Sequence, residues 1–112
     1  MKVILRIKKE NFDLIKVGTK KHEWRSPSKY NLDLLYEKTP REDGLKWHKA
    51  ELTEIEFING YNKDSPRMTV EFLECRFITF EEDINYPEDN FHALKGECCI
   101  KISLGKIISC SE

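Results

Sequence analysis

Residues 7–25 read Ile7-Lys8-Lys9-Glu10-Asn11-Phe12-Asp13-Leu14-Ile15-Lys16-Val17-Gly18-Thr19-Lys20-Lys21-His22-Glu23-Trp24-Arg25, and their spacing decides the fold. The apolar run Val3, Ile4, Leu5 and Ile7 predicts a strand over 2–7 that leads into them. Phe12 and Ile15, three apart, share one helical face, and Leu14 and Val17 widen it, which predicts a helix over 10–17. Lys9, Asn11 and Asp13 are left to water. Glu10 in the first turn and Lys16 in the last both complement the helix dipole. Gly18 stands where a helix commonly ends in a left-handed residue. A second strand is predicted over 20–25. Its period of two puts Lys21, Glu23 and Arg25 on one face and Lys20, His22 and Trp24 on the other. Lys20 joins Glu23 and Arg25 only from a turn ahead of regular alternation, which its long stem permits.

Working outward, Ser26-Pro27-Ser28 breaks this strand, and Asn31 is placed to cap a short helix over 32–37. Thr39 to Gly44 reads as a polar loop with Pro40 and Gly44 as breakers. Leu52 to Ile58 mixes apolar and acidic residues as a strand does, and Asn59-Gly60 ends it. Tyr61 to Arg67 is a loop. Met68 to Phe80 is the longest strand signal. Met68, Val70 and Phe72 alternate, and the phase then shifts to Leu73, Cys75 and Phe77, which predicts a bulge between Phe72 and Leu73. The acidic stretch Glu81 to Glu88, with Pro87, reads as loop. Cys98 to Leu104 alternates again, and Gly105 separates it from a last apolar tail, Ile107-Ile108. About five strands with one firm helix and a second short one predict one α+β domain over residues 1–112.

Composition narrows the function classes. The chain has 112 residues, 35% of them charged, and no apolar run approaches a membrane span. No secretory signal follows the first basic residues, so a cytoplasmic chain is expected, with reduced cysteines at 75, 98, 99 and 110. These cysteines form no CxxC pair, and no histidine falls at ligand spacing from them. The expectation is therefore no metal and no cofactor. Net charge is −1, but residues 1–30 carry nine Lys/Arg against three Asp/Glu, and residues 51–112 carry six against thirteen. A basic first third is compatible with a local phosphate-facing patch; it is equally compatible with ordinary variation along a soluble chain.

The residues that carry chemistry are Lys20, Glu23 and Arg25. Arg25 offers a planar fork of donors for a phosphate or a base edge, Lys20 a point charge, and Glu23 an acceptor for an exocyclic amine or a hydroxyl. The plain structural reading is a Glu-Arg pair on an exposed strand face, of little energetic weight. Lys8 either reaches the same cleft or is solvated. Trp24 packs at the core or stacks on a base at a rim. The loop Tyr61, Lys63 and Arg67 interleaves an aromatic with two cations, which suits a single strand or a flipped base, or is an ordinary connection.

The strand ending in Ile7-Lys8, the helix, and then Gly18, Lys20, Glu23 and Arg25 together resemble the signature of the ASCH family, whose domain belongs to the PUA-like superfold. The resemblance implies a small PUA-like mixed β-barrel that binds RNA or a modified nucleoside through a cationic cleft. It implies site residues at Lys8, Lys20, Glu23 and Arg25, with Tyr61, Lys63 and Arg67 at the rim. Some members resemble amidohydrolases that remove an acyl group from the exocyclic nitrogen of cytidine, and there Lys20 and Glu23 would be the catalytic pair. In those hydrolases the position matching Glu23 is a threonine nucleophile. A carboxylate is far less apt for amide cleavage than an activated hydroxyl, so binding is the expectation and catalysis the alternative. A third reading is a protein-interaction accessory domain that presents the acidic C-terminal half.

Overall fold

The predicted opening is present: strand β1 (Lys2–Arg6), helix α1 (Lys9–Lys16) and strand β2 (His22–Arg25) follow one another in a computed structural model that describes residues 1–37 and 48–111. Alternation along β1 buries Val3 and Leu5 and leaves Lys2, Ile4 and Arg6 outward. Phe12 and Ile15 are the buried residues of α1. Leu14 is only half-buried and Val17 is 73% exposed, so the helical face is narrower than its spacing predicts. The reason is at the helix end. Val17 is the C-cap and Gly18 turns the chain with φ +87°, so the last apolar residue points past the core.

Helix α2 spans Lys29–Leu35, three residues earlier than the expected start. Ser28 rather than Asn31 caps it, its hydroxyl accepting from the Asn31 N–H at 3.2 Å. The expected loop over 39–44 lies outside the described residues. Strands β3 (Glu54–Ile58) and β4 (Arg67–Thr79) follow, and β5 (Ile84–Tyr86) pairs antiparallel with β6 (Phe91–Ala93) as a second, two-stranded sheet. This small sheet corrects the expected loop over 81–88. Last comes β7 (Cys98–Ser111), 14 residues long, which runs straight through Gly105 where a break was expected. There a Cβ would crowd the Glu71 side chain, whose own Cβ would lie 3.0 Å away, so this glycine serves close strand packing and not a turn.

Five strands form the main sheet in the order β1-β3-β4-β7-β2, curled into a half-barrel. The pair β1–β3 is parallel, and the rest are antiparallel. Curvature comes from the β4–β7 ladder, whose register shifts between Thr69 and Val70, between Val70 and Phe72, and between Phe72 and Glu74. The last of these is the bulge expected at Leu73. The core fills the concave face: Leu5, Phe12, Leu35, Ile55, Phe57, Val70, Ile100 and Ile102 are each at most 2% exposed. A satellite cluster of Phe80, Ala93 and Cys99 lies under the small sheet, with Trp24, Tyr86 and Phe91 packed on it. Trp24 stacks on Phe91 with ring centroids 4.5 Å apart and planes 1° from parallel. Among the described residues no helix is long and apolar enough to cross a membrane.

Candidate functional site

The sheet order makes β1 and β2 its two edges, and α1 joins them along the chain. Edge strands carry backbone groups without a ladder partner on one side. At this open seam the Arg25 Nη2 donates to the Arg6 carbonyl oxygen at 2.9 Å. Beneath it lies a hollow of about 420 Å³. Its walls are the end of β1 (Arg6, Ile7), the start of α1 (Lys8, Asn11), β2 (Glu23 to Arg25), Ser26 and Asn31, and Asn90 from the far end of the chain. Arg6, Lys8 and Arg25 line it together with one carboxylate, Glu23.

Glu23 anchors the hollow. It is 4% exposed and Lys20 is 3% exposed. Lys20 Nζ stands 3.4 Å from Glu23 Oε1, and Arg25 Nε donates to Glu23 Oε2 at 2.8 Å. The period-two obstacle disappears because β2 begins at His22, which leaves Lys20 in the preceding turn, free to fold back onto Glu23. Lys20 Nζ also donates to the Asp89 carbonyl oxygen, so this buried ammonium is satisfied from two sides. Glu23 retains acceptor capacity on Oε1 toward a ligand N–H.

Asp89, which sequence reasoning missed, sets the geometry from behind. It is 3% exposed, in a one-turn 3₁₀ helix over Pro87–Asp89. Its Oδ2 accepts from Trp24 Nε1 and lies against His22 Nδ1, each at 3.1 Å, and its Oδ1 accepts from the Lys21 N–H at 3.3 Å. A carboxylate only accepts, so the His22 Nδ1 carries the proton here. One acid thus fixes three residues of the β2 entry, Lys21, His22 and Trp24. Asn90 follows in a left-handed conformation, φ 53°, and its Nδ2 donates to Asn11 Oδ1 at 3.2 Å, which seals the hollow against α1. The only sequence signal for this was the Asp-Asn pair, a common turn signature.

The remaining predicted residues divide. Lys8 lines the hollow as the N-cap of α1, and its side chain makes no capping bond to the first turn, so the positive helix end is uncapped by a side chain there. Tyr61 lies on the other side of Arg6, whose guanidinium sits 4.8 Å from the ring centroid. Lys63 is exposed and lines neither this hollow nor the one beside Tyr61. Arg67 is bound elsewhere, its Nη1 3.3 Å from Glu56 Oε1. Cys75 is buried in the core beside Tyr36, and burial pushes its thiol up to about 11. Among the described residues no group of His, Cys, Asp and Glu is placed to hold a metal. Compared with family models, with curated proteins and with solved structures, the chain matches none of them.

Proposed function

We propose that the chain is a PUA-like domain of ASCH type that binds one nucleotide unit of RNA, or a modified nucleoside, in the hollow at the seam. The observation that carries this reading is that Lys8, Glu23 and Arg25 line one hollow, with buried Lys20 held against Glu23 behind it. The Glu23 carboxylate at its floor suits the amine or imino N–H of a base edge. Arg25, Arg6, Lys8 and the uncapped end of α1 suit a phosphate. The amides of Asn11, Asn31 and Asn90 supply both donors and acceptors around the rim. Acyl transfer is the weaker reading, because Glu23 stands where the hydrolases this chain resembles carry a threonine nucleophile, and a carboxylate is less apt for amide cleavage than an activated hydroxyl.

The test is calorimetric titration of the four nucleosides and their 5′-monophosphates into wild type and Lys8→Ala. Lys8 is exposed, so its loss leaves the fold intact. Binding is expected, with Lys8→Ala and added salt weakening the monophosphates several-fold more than the nucleosides. Absence of binding by every nucleoside and monophosphate removes the proposal.

A further inference from the structure

A second hollow, of about 460 Å³, adjoins the first, and the two share Arg6 and Arg25. Its chemistry is different. Ile4, Tyr30 and Tyr61 form its walls, and they are 47%, 69% and 84% exposed. They come from three separate segments: the outward face of β1, the first turn of α2 and the loop after β3. Two tyrosines and an isoleucine brought together in water around one concavity are a surface with apolar area to cover. Tyr61 is also held in place. The Arg6 guanidinium packs on its ring, and Arg6 Nη1 donates to the Gly60 carbonyl oxygen at 2.7 Å, which ties the loop to the edge of β1. A ring at that exposure with one face on a guanidinium has its remaining surface open to a second flat partner.

We infer that this second hollow is a stacking subsite for the nucleotide next to the one in the seam, so that the ligand is a single-stranded nucleic acid of two or more nucleotides and not a free nucleoside. The inference rests on the proposed reading of the seam hollow. The two arginines between the hollows are where a linking phosphate meets positive charge, offered by the guanidinium N–H groups that Glu23 and the Arg6 and Gly60 carbonyls leave uncommitted. Tyrosine supplies a sequence-tolerant platform, because every base has a π-face. A duplex keeps its bases stacked on one another and offers no such face, so the strand that fits is unpaired.

The experiment titrates uridine and adenosine tetranucleotides, the corresponding 5′-monophosphates and a short RNA duplex into wild type, Tyr30→Ala, Tyr61→Ala and Tyr61→Phe. The expected result is a tetranucleotide affinity about tenfold or more above that of the monophosphate. Either alanine variant removes most of that gain, Tyr61→Phe keeps it, and monophosphate binding is unchanged in Tyr30→Ala, which leaves Arg6 packed on the Tyr61 ring. Both tyrosines are exposed, so the variants fold, and matching thermal unfolding curves verify it. Equal affinity for tetranucleotide and monophosphate overturns the inference and leaves the seam hollow as a nucleoside site. So does a gain that survives both alanine variants, or a duplex that binds as well as the single strands. No binding of any probe overturns the seam reading itself, and this inference with it.

Discussion

Arg25 Nη2 lies 2.9 Å from the carbonyl oxygen of Arg6, and this hydrogen bond joins the two edge strands of a half-barrel that no ladder among the described residues closes. The same guanidinium donates from Nε to Glu23 at 2.8 Å. One side chain therefore belongs both to the closure of the sheet and to the site, and changes at the site are expected to register in stability as well as in binding.

Glu23→Gln tests that link. Glu23 is buried between Lys20 and Arg25, so losing its charge leaves two cations facing each other, one of them fully buried. Removal of one partner from a buried pair costs about 3–5 kcal/mol, against about 0–1 kcal/mol for an exposed one. The expected loss in chemical denaturation is about 3 kcal/mol, with part restored by a short RNA through mass action. A loss below 1 kcal/mol with no restoration makes Glu23 a bystander.

Arg25→Ala and Lys63→Ala separate the seam from the loop after β3. Arg25 lines both hollows, whereas Lys63 lines neither. Filter binding of single-stranded RNA over a salt series is expected to show weaker binding for Arg25→Ala, with the salt slope reduced by about 0.7 for one lost phosphate contact. Lys63→Ala is expected to follow wild type. The reverse order places the contact surface on the 61–67 loop.

Acetylated cytidine is expected to survive prolonged incubation with the protein, followed by chromatography for free cytidine. The carboxylate at position 23 is held by Lys20 and Arg25 and is a poor substitute for an activated hydroxyl. Rapid turnover that is lost in Glu23→Gln reverses the ranking of binding over catalysis.

Cys75 predicts a dependence on alkaline pH. Burial raises its thiol from about 9 to about 11 in the folded chain. Below about pH 9 both folded and unfolded chains keep the proton, and the contribution to stability is fully present. Between about 9 and 11 the unfolded chain alone sheds it, so stability falls as pH rises. Tyr36, also raised by burial, adds to the decline above pH 10. Urea midpoints from pH 8 to 10.5 are expected to drop less steeply in Cys75→Ala. At pH 8 a disulfide reagent is expected to modify exposed Cys98 and Cys110 at once and Cys75 only on unfolding.

The opening β-α-β unit was legible because each of its signals is local: the run Val3 to Ile7, the spacing of Phe12 and Ile15, and the glycine at 18. The constellation of Lys20, Glu23 and Arg25 was legible as spacing, although its burial was not, because burial depends on Asp89 arriving from 64 residues beyond Arg25. The small sheet escaped for the same reason. Ile84–Tyr86 and Phe91–Ala93 are three-residue strands in an acidic stretch, held by Trp24 stacking on Phe91 and not by their own pattern. Gly105 misled in the other direction. A glycine in an apolar run reads as a break, yet here it gives room to the Glu71 side chain on the neighbouring strand. Arg6 and Tyr30 carry no motif at all, and Asn90 only a turn signature; the curl of the sheet and the turn at 87–90 bring them to the seam.

The open seam also makes the gape of this domain a mechanical variable. A sheet closed by a ladder resists widening with every bond in the ladder. Here, among the described residues, the edges are linked by the α1 crossing and by the arginine clasp, and the β4–β7 pair between them carries three register shifts. A molecule that bridged Arg6 to Arg25 would act as a strut across the mouth of a spring clip. Its presence would be felt as stiffness at β2, which is held to the sheet by four residue pairs with β7, well before it was felt in the thirteen-residue spine of β4.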